Sequence, residues 1–178
     1  MVLIMGSEKP SMLKVELILL FLCASILSSA QVSKPQCSCC SDDHLQFDFW
    51  VGSWSVSDTL GNPIGKNRVE KIQSGCVLME NWTSANMTGT SYNYFDAADS
   101  TWNQLWLDSN GGQLKLKGGL INDEMVLKSE LIQGKKSLYY NQLSWKENDD
   151  KSVTQTWKVF DKNDQLLQLI FLGIYKRE

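Results

Sequence analysis

Histidine is nearly missing from this chain, with one imidazole, His44, among 178 residues. It lies ahead of every strand-like segment. That excludes an axial-histidine haem pocket, a three-histidine zinc site and a Ser-His-Asp triad from the body of the fold. A basic block is missing too: 17 Lys+Arg stand against 20 Asp+Glu, a net charge of −3, so nucleic acid is not an expected partner. From Trp50 onward no segment carries the 3.6-residue apolar period of a helix, which excludes a bundle. No cofactor or metal is expected from so sparse a ligand set.

What is present begins with an export pattern. Lys9 and Lys14 precede an apolar run from Leu17 to Leu27, and Ser28-Ser29-Ala30 offers small residues for cleavage after Ala30. The run is too short to span a bilayer comfortably. Met12 to Ala30 alone has ordinary signal proportions. Leu22 stands where a lipoprotein cysteine would need a small residue, so lipidation of Cys23 is rejected. The competing reading is a retained N-terminal anchor. The expected organisation is a signal peptide at 1–30, a Cys-rich tail at 31–46 and one domain at 47–178. The mature protein would be periplasmic or extracellular, with no stable membrane anchor after cleavage.

The domain reads as all-β. Short alternating runs recur about every ten residues, which places strands near 50–58, 65–73, 76–83, 89–96, 101–108, 113–118, 124–132, 137–145, 152–160 and 166–176. Turn residues fill the gaps: Gly61-Asn62-Pro63, Gly75, Asn110-Gly111-Gly112, Gly118-Gly119, Gly134-Lys135, Asn148-Asp149-Asp150 and Asp161 to Asp164. Short loops force neighbouring strands to pair as an antiparallel meander. An even number of strands then closes into an up-and-down barrel and removes both edges. A two-sheet sandwich would need longer crossing connections.

Alternation assigns the faces. Trp50, Gly52, Trp54 and Val56 share one side, and Gly52 leaves room for a group to cross between two indoles. Leu78, Glu80 and Trp82 share a face, as do Trp102, Gln104, Trp106 and Asp108. So do Val153, Gln155, Trp157 and Val159, and also Leu169, Phe171, Gly173 and Tyr175. A solid core would favour Val, Leu and Ile, because a buried amide or carboxylate needs a partner. Indoles mixed with amides fit a cavity with flat apolar walls and a few polar anchors. The candidate ligand-binding residues are Trp54, Glu80, Trp82, Tyr94, Trp102, Gln104, Trp106, Gln155 and Trp157. If Met79 and Val77 face inward instead, Glu80 is a solvated charge.

Gly52-Ser53-Trp54 opening a strand, with Lys176-Arg177 closing the last one, resembles the calycin pattern of lipocalins and fatty-acid-binding proteins. There a basic residue of the final strand covers the first-strand tryptophan. The longer text is more specific. Phe47-Asp48-Phe49-Trp50-Val51-Gly52-Ser53-Trp54 and Gly75-Cys76-Val77-Leu78-Met79-Glu80-Asn81-Trp82 look like a family of secreted bacterial lipocalin-like proteins of unassigned activity. So do Trp102-Asn103-Gln104-Leu105-Trp106-Leu107-Asp108 and Gly173-Ile174-Tyr175. The resemblance implies a calycin-like barrel; the sequence departs from it in that the loops proper to true lipocalins, including a helix after the barrel, are not evident.

Cys37, Cys39, Cys40 and Cys76 remain after signal removal, and an exported chain forms disulfides by default. In a meander, the start of the first strand and the turn from the second to the third lie at one barrel end. One of Cys37, Cys39 or Cys40 is therefore expected to bond Cys76. The competing reading is a metal or redox site from Cys37, Cys39, Cys40, Asp42, Asp43 and His44, in a spacing that matches no zinc motif.

Three functions fit. The first is a binding barrel whose partner is a small hydrophobic or aromatic molecule. The second is an isomerase- or lyase-type enzyme using Glu80 with Asp96, Asp108 or Tyr94. The third is a filled barrel acting as an envelope interaction module. The end bearing loops 58–64, 84–88, 109–112, 133–136 and 161–165 is expected to be open, because the tail crowds the other.

Overall fold

The computed structural model describes residues 37–135 and 137–178, so the expected signal segment and the first part of the tail lie outside the described residues. The strands are β1 (Gly52–Ser57), β2 (Pro63–Ile72), β3 (Val77–Thr83), β4 (Thr88–Asp96), β5 (Thr101–Asp108) and β6 (Gln113–Ile121). They continue with β7 (Glu124–Lys128), β8 (Ile132–Gln133), β9 (Leu138–Glu147), β10 (Val153–Asp161) and β11 (Leu166–Arg177). Each long strand pairs antiparallel with its sequence neighbour, and β11 pairs with β1, so ten strands close a barrel. The eleventh, β8, continues the line of β7 along the same edge of β9. The expected 124–132 strand is thus broken at Ser129, whose backbone N–H and side chain are tied to Asn141 of β9.

Three hairpins at one end repeat a single device. Asp58 Oδ1 accepts from the backbone N–H groups of Leu60 and Asn62, Asp108 Oδ1 from those of Asn110 and Gly112, and Asp161 Oδ1 from those of Asn163 and Gln165. The carboxylate thereby closes the turn that the backbone alone would leave open. The Asn62 side-chain amide, with the backbone bonds of its turn, holds the Asp58 carboxyl below its usual range, and the Gly112 N–H does the same for Asp108. The end these hairpins occupy is the one expected to be open.

The other end is sealed. A one-turn helix, α1 (Asp42–Leu45), leads into a 3-10 turn at Asp48–Trp50. Trp50 was expected as the first residue of the inner face of β1; instead it belongs to this turn, and β1 starts at Gly52. The turn drops Phe47 and Trp50 onto Trp102 and Trp145. Ring centroids lie 5.0 Å apart for Phe47–Trp50, 5.1 Å for Phe47–Trp145 and 5.3 Å for Trp50–Trp145. Phe47, Trp50, Trp54 and Trp145 are each 0% exposed, and Val56, Val69, Leu78, Met125, Leu127 and Val153 complete the packing. Burial of aromatics on this scale is a large apolar stabilisation.

One of two disulfides fastens the tail to the sealed end, and the other lies within the tail. Cys39 bonds Cys76, just beyond the turn between β2 and β3, as the meander requires, and Cys37 bonds Cys40. The sulfurs expected in the competing metal site are thereby consumed. His44 is half-buried, with its ring edge-on to Phe95 at 5.1 Å. Arg177 closes the structure: its guanidinium sits 4.4 Å over the Trp54 ring and donates to the carbonyls of Val51 and Phe49. Of the two expected cations, Arg177 is the one that pairs across from Trp54; Lys176 pairs with Ser55 on the outer face.

Candidate functional site

Above this packing the barrel is hollow. A cavity of about 550 Å³, lined from β2, β3, β5, β6 and β9–β11, opens toward Pro63, Ile64 and the Ser84–Met87 turn. Its walls are Trp82 on β3, Trp106 on β5, Trp157 on β10 and Phe171 on β11. Two indoles lie flat because the neighbouring strand offers no side chain. A Cβ at Gly65 would collide with the ring of Trp82, and one at Gly89 with the ring of Trp106. Glycine spaced against an aromatic in this way exchanges strand propensity for a smooth wall. Trp157 is held by its Nε1, which donates to Asn141 Oδ1 at 2.8 Å, and Phe171 stands edge-on to Trp82 at 5.8 Å.

The floor is polar. Alternation along β3 turns Leu78, Glu80 and Trp82 inward, which settles the orientation of Glu80; the carboxyl is 4% exposed. Asn67 Nδ2 donates to Glu80 Oε1 at 3.0 Å, and Ser91 Oγ donates to Oε2 at 2.6 Å. Asn93 Nδ2 donates to Ser91 Oγ, and Gln104 Nε2 donates to Asn93 Oδ1 at 2.8 Å. On the opposite wall the Tyr175 hydroxyl donates to Gln155 Oε1. Burial pushes the Glu80 carboxyl up to about 7 against the opposing pull of Ser91 and Asn67. Burial also raises the Tyr175 phenol well above its ordinary value, with the Glu80 charge adding to the effect.

Six of the nine expected residues line the cavity: Glu80, Trp82, Gln104, Trp106, Gln155 and Trp157. Three do not. Trp54 and Trp102 face inward but lie in the sealed end, where Trp102 donates its indole N–H to Asp43 O. Tyr94 is 43% exposed on the outer face, because β4 turns Ser91 and Asn93 inward and the alternation sends Tyr92 and Tyr94 out. The acid–base pairs considered for an enzyme are not assembled. Asp96 sits at the sealed end of β4 and Asp108 is committed to its hairpin, while the phenol that feels the Glu80 charge is Tyr175.

Leu169 also leaves its expected face. The β10–β11 register jumps between Trp157↔Phe171 and Lys158↔Leu169, and this bulge at Ile170 turns Leu169 outward, 49% exposed. Sequence reasoning did not select Phe171, Tyr175, Leu114, Leu143 or the Ser84–Met87 turn as site residues. The alternation that put Phe171 and Tyr175 on one inner face was the available signal.

The chain matches no known family model and no curated protein. Fold and site together define the class: a closed ten-stranded antiparallel barrel, packed with aromatics at one end and hollow at the other.

Proposed function

We propose that the protein is an exported, lipocalin-like barrel that binds a small, partly apolar molecule in its hollow half. The observation that carries this reading is the cavity itself: about 550 Å³, bounded by three indoles and Phe171 above the buried polar groups of Glu80, Gln104, Gln155 and Tyr175. That volume and that mixture are typical of small-molecule sites. The ligand contacts are assigned to Glu80, Trp82, Gln104, Trp106, Gln155 and Trp157, with Phe171 and Tyr175 added. Arg177 over Trp54 supports the calycin comparison. Export, with a signal peptide at 1–30 ahead of the tail and barrel, is supported by two disulfides, which persist in oxidising compartments.

The test uses N-phenyl-1-naphthylamine, a neutral apolar dye. Titrated into the protein, it is expected to brighten and to quench tryptophan emission. Leu143→Trp, which pushes a larger side chain into the cavity, should weaken binding about tenfold or more, roughly 1.4 kcal/mol. Unchanged emission in the wild type, or equal affinity in the variant, would remove the proposal.

A further inference from the structure

The chemistry of the cavity floor selects among ligands. We propose that the bound molecule is an organic ammonium ion, an amine whose N–H groups meet Glu80 and Gln104 and whose aromatic or alkyl body lies between Trp82, Trp106 and Trp157. This inference rests on reading the hollow half as a binding cavity, and it names the class of its occupant.

The hydrogen-bond inventory is lopsided. Ser91 Oγ is fully used, donating to Glu80 and accepting from Asn93 and from Gln104 at 3.4 Å. The Tyr175 hydroxyl proton is committed to Gln155. Both bonds of Gln104 Nε2 point away to Ser91 and Asn93, so Gln104 Oε1 is buried with no donor, in a side chain that is 3% exposed. Each oxygen of Glu80 accepts one bond, and a carboxylate has room for about four. The floor thus offers acceptors to a ligand, Gln104 Oε1 and the Glu80 carboxylate, while the donors beside them, Asn67, Ser91, Asn93 and Gln104, are already bonded. A ligand must bring N–H or O–H groups of its own, since an unmet buried acceptor costs about 1–3 kcal/mol.

Charge narrows the choice. No Lys, Arg or His lines the cavity among the described residues, and Glu80 is its one carboxyl. A carboxylate or phosphate ligand would lie unpaired beside an acidic group. A cation would be paired there, and the faces of the three indoles attract it further. The side chains facing Glu80 are Asn67 from β2, Ser91 and Asn93 from β4, Gln104 from β5, Gln155 from β10 and Tyr175 from β11. Of these Tyr175 alone titrates, far above neutrality. Glu80 is therefore the group whose ionisation follows the ligand. Because Glu80 titrates near 7, binding a cation at pH 7 should release about half a proton per ligand.

The experiment is calorimetric titration of the full protein with 4-phenylbutylammonium, 4-phenylbutan-1-ol and 4-phenylbutanoate, one body with three head groups. The ammonium ion is expected to bind at least about tenfold tighter than either analogue. Measured in buffers of different ionisation enthalpy at pH 7, it alone should release protons. Glu80→Gln should erase both the preference and the proton release. Equal or tighter binding of the alcohol or carboxylate, or an ammonium preference that survives Glu80→Gln, overturns the proposal. Proton release needs no variant and decides the matter should Glu80→Gln fold poorly. If all three fail while N-phenyl-1-naphthylamine binds, the cation is wrong and the cavity stands. If the dye fails as well, both readings fall.

Discussion

The seven tryptophans divide between the two halves of one barrel. Trp50, Trp54, Trp102 and Trp145 are 2% exposed or less and pack on one another, on Phe47 and on the aliphatic core. Trp82, Trp106 and Trp157 are only partly buried and border empty space. The residue type is the same in both halves, so composition does not decide which half is hollow. Partners do. At the sealed end the 3-10 turn brings in Phe47 and Trp50 as a plug, whereas the Asp-closed hairpins of the other end send nothing into the barrel. The sealed half supplies rigidity, and the open half is free to keep a cavity.

The largest test of that division compares two truncations of the same residue type. Trp145→Ala removes a fully buried indole from the plug and should cost about 3–5 kcal/mol in urea unfolding. Trp106→Ala removes an indole that already faces the cavity, and it should cost about half as much or less. Equal losses would mean that the upper half is packed as tightly as the lower, and the contrast between the halves would collapse.

The sequence made the barrel legible because strand alternation and turn residues are local signals. Nine of the ten expected strands appear within a few residues of their places, and the tenth is broken at 129–131. Inner faces were legible wherever the alternation ran unbroken, as from Leu78 to Trp82 and from Trp102 to Trp106. The reading failed where a residue outside the alternation intervened. The bulge at Ile170 reversed Leu169, and the 3-10 turn took Trp50 out of the strand. Tyr94 was chosen for its chemistry although its neighbours Ser91 and Asn93 carry the inner face. Depth along the barrel was the least visible property. Nothing in the immediate neighbourhood of Trp54 or Trp102 shows that a plug from residues 47–50 fills the space in front of them.

A second test of the same contrast varies pH, because the open half holds the buried carboxyl. Glu80 titrates at about 7 when folded, above the usual carboxyl value near 4.5. Between those values the folded state binds more protons than the unfolded chain, so stability falls as pH rises. The folded state is favoured fully below about pH 4.5 and the advantage is gone above about pH 7, a span of about 3 kcal/mol. Glu80→Gln should flatten that slope, matching wild type near pH 4.5 and exceeding it at pH 8. A slope that persists in the variant would place its source elsewhere.

The smallest expected effect sharpens the sealed end. Gly52 has φ +150°, and the Nη1 of Arg177 lies only 2.5 Å from the position that a Cβ at residue 52 would take. From there Arg177 reaches Val51 O at 2.9 Å and Phe49 O at 3.3 Å while covering Trp54. The glycine, the cation and the indole therefore act as one unit. Arg177→Ala should cost about 1–2 kcal/mol, the worth of one cation–π contact and two hydrogen bonds at a partly exposed site. Gly52→Ala should cost at least as much, since it evicts the same guanidinium and also strains the backbone. In the double variant the two losses should fall short of their sum by about the Arg177→Ala value, because the contact can be removed only once. Strict additivity in urea unfolding would mean that Gly52 serves the backbone alone and that the space it leaves is unrelated to Arg177.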